Sequence, residues 1–322
     1  KNNMVKLYEV LRGAKRAGIA GHVRPDGDCT GSCLALYQYI GLYFPEVAVD
    51  VYLEEIPNSF HMLTGADEIC HGLPENMVYD VFFALDCGDV GRLGFAGTLF
   101  EKAKKTVCID HHVSNESFAD VNQIVPDASS TSELIYNLMD KEKITKEVAE
   151  ALYLGIVHDT GVFQYSSTKP STMEAGAELL RKGIDGPKII EKTFFEKTYA
   201  QNQVLGKALL ESIRLMDGKV IFSYITKKSM SFFGVKAKDL EGIVSQLRVT
   251  AGVEVAIFLY ELESGEFKVS LRSKEKVDVS KVARYFGGGG HVRAAGLTFR
   301  GTVYDAVNNL MNQISLQLED GA

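Results

Sequence analysis

The first half of the chain alternates short apolar runs with helical patterns, and this alternation limits the folds it can adopt. Apolar runs predict strands over 18–23, 47–53, 80–86 and 105–112, and SCLALYQYIGLYF after the first of them predicts a helix. DVFFALD is apolar at nearly every position, which is typical of a strand covered on both faces. Strands that alternate with helices predict a parallel α/β sheet.

The rest of the chain predicts a helical stretch and then a second set of strands. Helical patterns occupy 129–141, 144–161 and 172–185, and a polar helical stretch at about 190–215 is interpreted as a linker helix. Strands are predicted over 219–226, 253–262 and 267–273, with helices at about 238–249 and 303–318. The 322 residues suit two domains. We predict an α/β domain over 1–190, a helical linker over 191–215 and a smaller α+β domain over 216–322.

The loop after the first predicted strand concentrates an imidazole and two carboxylates. It reads His22-Val-Arg-Pro-Asp26-Gly-Asp28. In parallel sheets, ligand sites lie beyond the carboxyl ends of strands, where this loop is expected. Mixed nitrogen and oxygen ligands suit Mn²⁺ and similar ions. The alternative, an Asp-Gly turn beside an incidental histidine, stays open for this motif taken alone.

Further acidic and imidazole groups follow other predicted elements. Asp86 ends one apolar run, Asp110-His111-His112 ends the next, and Asp159 ends a helical pattern. Taken singly, Asp86 could be a turn residue and Asp159 a helix end before a glycine. Together, so many carboxylates at one sheet edge would repel one another unless cations neutralise them. We therefore expect two divalent cations at this edge.

A glycine-rich segment near the C-terminus predicts an anion-binding backbone. Gly288, Gly289 and Gly290 lie in GGGGHVRAAG, where a close backbone could offer amide groups to anionic oxygens. The two alanines that follow His291 suggest a helix N-terminus, and a flexible linker is the alternative. The segment lacks the Walker pattern G-x-x-x-x-G-K-[ST]. Arg272 and Ser273 close a predicted strand and are candidate phosphate or base contacts. The arginine is suited to bidentate phosphate binding.

Charge and cysteine content narrow the classes of function. The net charge of -7 argues against a long nucleic-acid duplex as substrate. Five cysteines without a C-x-x-C pair predict buried free thiols and a reducing, cytoplasmic setting. No apolar window approaches 18 residues, so no membrane span is expected. The first 18 residues predict an amphipathic helix rather than a signal peptide.

In their order along the chain, HVRPDGD, Asp86, DHH, HDTG and GGGGHVRAAG resemble the DHH phosphoesterase superfamily. The resemblance covers nearly the whole chain and points to the short branch that joins a DHH domain to a glycine-rich DHHA1 domain. This branch acts on short oligoribonucleotides and on 3'-phosphoadenosine 5'-phosphate. One position departs from many relatives, because Gln164 stands where they have a basic residue.

The resemblance implies a role for each motif residue. One Mn²⁺ would be held by His22, Asp26 and Asp86, and the other by Asp28, Asp86, His111 and Asp159. Asp86 would bridge the two ions, Asp110 would support the ligands, and His112 would contact the scissile phosphate. The nucleotide would be held from the second domain by Arg272, Ser273, Gly288, Gly289, Gly290 and His291.

We thus predict a two-metal phosphoesterase that degrades short RNA to mononucleotides and converts 3'-phosphoadenosine 5'-phosphate to AMP. A linear or cyclic dinucleotide phosphodiesterase is the enzyme alternative, whereas the glycine-rich segment argues against a pyrophosphatase. From another class, a nucleotide-binding regulator that has lost catalysis should lack at least one acidic ligand. The sequence allows a homodimer without requiring one.

Overall fold

The structure, a computed structural model, describes residues 4–319. The chain divides into two compact units, Lys1–Glu196 and Lys197–Ala322. Each unit has its own hydrophobic core and its own sheet. Among the helices described, none has both the length and the apolar composition to cross a bilayer.

The first unit is built on a parallel sheet, as the sequence predicts. Its described strands are β1 (Arg16–Ala20), β2 (Ala48–Tyr52), β3 (Val81–Leu85), β4 (Thr106–Asp110) and β5 (Val121–Ile124). They lie in the order β2-β1-β3-β4-β5, and every pairing among them is parallel. The sequence predicts the first four strands, whereas β5 is too short and too polar to stand out as an apolar run.

Helices cover both faces of this sheet, and strand β3 shows how. Val81, Phe83 and Leu85 belong to one buried cluster, while Phe82 and Ala84 belong to another. Successive side chains of a strand point to opposite faces, so an all-apolar strand needs cover on both. The described helices of this unit are α1 (Leu7–Val10), α2 (Gly27–Tyr43), α3 (Gly97–Lys102), α4 (Thr131–Leu138), α5 (Lys146–Asp159), α6 (Pro170–Arg181) and α7 (Gly186–Ile190).

The second unit has a mixed sheet with helices. Its described strands are β6 (Ile213–Leu215), β7 (Val220–Ile225), β8 (Val255–Glu263), β9 (Glu266–Ser273), β10 (Gly289–His291) and β11 (Ala294–Arg300), in the order β10-β11-β9-β8-β7-β6. Its described helices are α8 (Tyr199–Leu210), α9 (Lys227–Phe233), α10 (Ile243–Arg248), α11 (Val279–Tyr285) and α12 (Val303–Glu319). A tight turn joins β8 to β9, with Gly265 at φ +72°.

Three helix predictions are wrong in extent, and the one at about 238–249 is α-helical only over Ile243–Arg248. In the described part of the expected N-terminal helix, only Leu7–Val10 is α-helical, and Gly13 then turns the chain with φ +75° before β1. The expected linker helix over 190–215 is interrupted by a π-helical turn at Glu191–Phe195. A new helix starts after Thr198, whose side chain caps it.

The glycine-rich segment also differs from expectation. It forms a β-hairpin, β10 paired with β11, rather than the start of a helix. Gly290 has φ +147°, and a Cβ there would lie 2.5 Å from the carbonyl oxygen of Ala294. A Cβ on Gly288 would meet the carbonyl oxygen of Gly296 at 2.2 Å. These glycines are therefore needed because two backbone segments approach each other closely.

Candidate metal centre

The loop after β1 carries His22, which lies almost wholly buried beyond the carboxyl end of the sheet. Its Nδ1 lies 2.8 Å from the carbonyl oxygen of Val23, so Nδ1 donates and Nε2 is left as the ligand nitrogen. Nε2 lies 3.4 Å from Asp26 Oδ2 and 3.5 Å from Asp86 Oδ2. Asp26 also caps α2 by accepting from the Cys29 amide. This loop thus holds one imidazole beside two carboxylates.

Asp86 is the residue that joins two groups of donors. It follows β3 with φ +54°, a left-handed conformation that aspartate tolerates better than most residues. Its Oδ2 faces His22 Nε2 at 3.5 Å, and its Oδ1 faces His111 Nε2 at 3.4 Å. Only 2% of Asp86 is exposed. The two oxygens of one buried carboxylate therefore point to two different imidazoles.

His111 forms the second group with three carboxylates. Its Nε2 lies 3.1 Å from Asp159 Oδ2, 3.4 Å from Asp86 Oδ1 and 3.8 Å from Asp28 Oδ2. His111 follows β4 directly, and Asp159 is the last residue of α5. The structure thus brings together all six predicted metal ligands, which come from three strand ends and two helices.

Asp28 is fully buried and is held by the start of α4. Its Oδ2 accepts from the Thr131 amide at 2.7 Å, and its Oδ1 accepts from the Ser132 amide at 2.8 Å. These are orphan amides of a helix N-terminus, where negative charge is stabilised. The backbone of α4 therefore fixes this carboxylate without using a cationic side chain.

A hydrogen-bonded chain orients His112. Its Nδ1 lies 2.7 Å from Asp110 Oδ1, and Asn115 donates to Asp110 Oδ2 at 2.8 Å. Asp110 is completely buried at the end of β4. The hydrogen bond between His112 and Asp110 is the main reason that the pKa of His112 is raised. With Nδ1 engaged by Asp110, Nε2 is the nitrogen available to a ligand.

The electrostatics of the centre reflect its crowded carboxylates. Burial raises the pKa of Asp28 well above its usual range, and the neighbouring charge of Asp86 raises it further. Burial lowers the pKa of His22, but hydrogen bonds to nearby carboxylates outweigh this and raise its pKa to about 12. The pKa of His111 is raised to about 12 by the same balance. Protons on these imidazoles partly neutralise the surrounding carboxylates, a role that bound cations would also fill.

The donor set suits divalent cations. Three overlapping groups of the described residues could hold a metal ion, with their donor atoms within 4.8 Å of one another. Donors that share one ion at bond lengths of about 2.1 Å lie roughly 3–3.5 Å apart. The spacings around His22 and His111, 3.1–3.8 Å, come close to this range. Imidazole with carboxylate oxygens is a set suited to ions such as Mn²⁺.

Close helix packing brings the ligands together. A Cβ on Gly31 of α2 would lie 2.4 Å from the carbonyl oxygen of Ala151 in α5. A Cβ on Gly155 of α5 would lie 1.9 Å from Ser132 Oγ and 3.0 Å from Asp28 Oδ1. Missing side chains at these two glycines therefore allow α2, α4 and α5 to converge at the centre.

Several supporting residues were not anticipated from the sequence. Thr131 and Ser132 hold Asp28, although the sequence predicts only a helix over 129–141. Asn115 lies three residues after the last histidine of DHH, and no pattern in the sequence marks it as a partner of Asp110. Cys29 forms one possible donor group with His22 and Asp86, and it is one of four buried free thiols, with Cys33, Cys87 and Cys108. Cys70 is partly exposed.

Two residues near the centre do not join it. His158 Nε2 lies 2.9 Å from Thr193 Oγ1, and burial lowers the pKa of this histidine to about 4. Thr193 donates its own proton to the Ile189 carbonyl, so His158 donates to Thr193 and packs as a neutral ring. Gln164 is exposed and follows a turn in which Val162 and Phe163 both have positive φ.

In the second unit, the strand register aligns two predicted substrate contacts. Arg272 of β9 and His291 of β10 both pair with Ala294 of β11, so their side chains share one face of the sheet. Their Cα atoms are two strands apart, about 10 Å. β10 is an edge strand, and Gly289 and Gly290 in it are exposed.

Ser273 was also expected to contact substrate, and its burial argues against this. Only 2% of the residue is exposed, and its Oγ lies 3.4 Å from the Val292 carbonyl oxygen. Its amide donates to the Arg293 carbonyl at 3.1 Å. As the neighbour of Arg272 in a strand, it points to the opposite face. Ser273 therefore ties β9 to the turn between β10 and β11.

Family models match most of the chain. Residues 16–156 match the model described as the DHH family, N-terminal domain, and residues 217–319 match the DHHA1 domain. The first match contains most of the metal centre, including the ends of β1, β3 and β4. The second match contains β7 to β11 and the glycine-rich hairpin.

Relatives extend over nearly the whole chain. Two proteins called bifunctional oligoribonuclease and PAP phosphatase NrnA are each 28% identical to it. The protein from Thermus thermophilus aligns over 89% of this chain and 85% of its own length, and that from Bacillus subtilis over 85% and 86%. A crystal structure of an exopolyphosphatase-related protein from Bacteroides fragilis has a TM-score of 0.87 at 29% identity. That match covers 95% of this chain and 94% of the other.

Proposed function

Because the chain carries a DHH-family N-terminal domain followed by a DHHA1 domain, we propose that it is a metal-dependent phosphoesterase of short RNA. It would hydrolyse short oligoribonucleotides to mononucleotides and 3'-phosphoadenosine 5'-phosphate to AMP. The observation that carries this proposal is Asp86, which turns one oxygen towards each of two imidazole–carboxylate groups. The names and coverage of the two NrnA relatives support the choice of substrates.

The ligands divide into two sets that share Asp86. One cation would be held by His22, Asp26 and Asp86, and the other by Asp28, Asp86, His111 and Asp159. When bound, a pair of divalent cations, which we propose to be Mn²⁺, would activate water and stabilise charge on the phosphoryl oxygens. Buried free thiols among the described residues support a reducing compartment such as the cytoplasm.

His112 is proposed to contact the scissile phosphate. Asp110 engages its Nδ1 at 2.7 Å and raises its pKa, which favours a cationic ring with Nε2 able to donate. Asn115 holds the other oxygen of Asp110 at 2.8 Å, so the ring is oriented before substrate binds. A preorganised donor of this kind stabilises negative charge that develops on phosphoryl oxygens.

The second unit is proposed to hold the nucleotide through one face of its sheet. Arg272 and His291 share that face and flank the small residue Ala294, which leaves room for an anionic group between them. The exposed edge strand β10 supports a role for the backbone amides of Gly289 and Gly290. The amide of Gly288 already donates to the Ala283 carbonyl at 2.8 Å, so Gly288 would contribute through its close backbone approach rather than as a donor.

We expect Arg272→Ala to raise KM for a dinucleotide by about 10- to 100-fold, since a charged hydrogen bond contributes about 1.5–3 kcal/mol. The value of kcat should change little, because the metal centre is untouched. The matched control is Arg300→Ala. Arg300 ends β11, whereas Arg272 pairs with the first residue of that strand, and the Arg300 guanidinium is exposed beside Glu266. An unchanged KM in Arg272→Ala would remove this residue from the binding site.

A substrate panel tests the proposed function. Purified protein with Mn²⁺ would be incubated with labelled RNA from dimers to long oligomers and with 3'-phosphoadenosine 5'-phosphate. Linear and cyclic dinucleotides and inorganic pyrophosphate would complete the panel. We expect kcat/KM to be highest for RNA of a few nucleotides and to fall with length, with release of AMP from 3'-phosphoadenosine 5'-phosphate.

Other rank orders would contradict the proposal in specific ways. A strong preference for cyclic or linear dinucleotides over longer short RNA would assign a dinucleotide phosphodiesterase. Turnover of pyrophosphate alone would remove RNA from the substrates. Mn²⁺ binding without turnover of any compound in the panel would indicate a nucleotide-binding protein that lacks catalysis.

A further inference from the structure

Thr131, the first residue of α4, contacts both buried carboxylates of the metal centre. Its amide donates to Asp28 Oδ2 at 2.7 Å, and its hydroxyl Oγ1 donates to Asp86 Oδ1 at 3.1 Å. Thr131 is itself completely buried. One residue, through its backbone amide and its side chain, thus links carboxylates that lie 58 positions apart in the sequence (86 − 28).

The hydroxyl contact selects which way the Asp86 carboxylate faces. Oδ1, which accepts from Thr131, is the oxygen 3.4 Å from His111 Nε2, while Oδ2 is 3.5 Å from His22 Nε2. Asp86 has φ +54°, so its backbone gives the side chain an unusual starting direction. Rotation of the carboxylate about its last bond would break the Thr131 contact. The hydroxyl therefore favours the orientation with one oxygen on each side.

We propose that Thr131 is a positioning residue that makes Asp86 a bridge between two cations rather than a ligand of one. The inference deepens the proposed function and rests on its two-cation centre. Without the hydroxyl, the carboxylate can turn both oxygens to the same ion, and the other ion loses a ligand. Residues that orient metal ligands in this way typically change metal affinity by about 10- to 100-fold when replaced.

The decisive variant is Thr131→Val, which has nearly the same shape and keeps the amide that holds Asp28. Mn²⁺ binding would be measured by calorimetry, and electron paramagnetic resonance would report whether two bound ions are magnetically coupled. We expect wild type to bind two Mn²⁺ as a coupled pair. In Thr131→Val, we expect one of the two affinities to fall by at least about tenfold, with a spectrum of uncoupled ions.

Two further variants isolate the hydroxyl. Thr131→Ser keeps it and should restore coupling, whereas Thr131→Ala lacks it and should behave like Thr131→Val. This pair differs by one oxygen atom and gives the answer even if valine prevents folding. Thr106→Val is the matched control, because Thr106 also donates its hydroxyl to an aspartate, Asp120, at 3.0 Å. Thr106 begins β4, whereas the metal centre lies beyond the other end of that strand. This variant should lose stability without a change in Mn²⁺ binding.

The outcomes separate this inference from the function on which it rests. If wild type binds fewer than two Mn²⁺, the two-cation centre itself fails. If wild type binds a coupled pair and Thr131→Val or Thr131→Ala binds the same pair with unchanged affinities, the role of Thr131 is overturned. Equal loss of coupling in Thr131→Ser and Thr131→Ala would likewise overturn it, because the hydroxyl would then be irrelevant.

Discussion

Asp86→Asn is expected to lower kcat for a short RNA by about 1,000-fold or more, because Lewis-acid catalysis contributes several kcal/mol and each 1.36 kcal/mol is tenfold. Asparagine has the same shape, but its amide nitrogen cannot bind a cation in place of the second oxygen. It also tolerates the left-handed conformation of Asp86, at φ +54°, so the fold should persist. Steady-state kinetics with saturating Mn²⁺ would measure the effect.

Asp80→Asn is the matched control for this prediction. Asp80 directly precedes β3, whereas Asp86 directly follows it, so the two carboxylates lie at opposite ends of one strand. Asp80 accepts hydrogen bonds from the Lys15 and Arg16 amides, far from the proposed ligands. Its replacement should leave kcat unchanged. Wild-type turnover in Asp86→Asn, with Asp80→Asn equally active, would contradict a bridging role for Asp86.

Gly155→Ala is expected to destabilise the first unit by about 1–3 kcal/mol, the usual range for overpacking a close contact. The added Cβ would lie 1.9 Å from Ser132 Oγ and 2.7 Å from Ser132 Cβ. Relief requires α4 to move, and α4 holds the carboxylate of Asp28 through its amides. We therefore expect weaker Mn²⁺ binding as well as a lower free energy of unfolding. Denaturant unfolding and calorimetry would measure the two effects.

Gly206→Ala is the matched control, and we expect it to change the stability in the opposite direction. Gly206 lies inside α8, and nothing lies within 4 Å of the Cβ that alanine would add. Replacing an unhindered helix-interior glycine by alanine should stabilise the protein by about 0.5–1 kcal/mol. If Gly155→Ala also stabilised the protein and kept its Mn²⁺ affinity, the close approach of α4 and α5 would not be required at the centre.

Several ligands of the candidate centre could be predicted because they stand at or just after the end of a regular element. Asp86 and Asp110 close apolar strands, and parallel strands end at one edge of a sheet, so topology alone brings them near each other. Asp28 and Thr131 are different, since their contact depends on how closely α2, α4 and α5 pack. No local pattern in the sequence encodes that packing, although Gly31 and Gly155 are the residues that permit it.

The glycine-rich segment shows where local reasoning fails. GGGGHVRAAG has no hydrophobic period that would indicate a strand, and its two alanines favour a helix start that the structure does not form. It becomes a hairpin because β11 pairs with β9 over 294–300, and this pairing is a tertiary contact. The sequence does indicate the break in the predicted linker helix, because Thr198 and Gln201 form a capping box, a pattern that marks a helix start.

The central claim is that Asp86 bridges two divalent cations at the carboxyl edge of the first sheet. Crystals grown with Mn²⁺ and measured at the manganese absorption edge test it directly. We predict two anomalous peaks about 3.5–4 Å apart, with Oδ1 of Asp86 bound to one ion and Oδ2 to the other. A single peak, or two peaks with Asp86 bound to only one of them, would contradict the account.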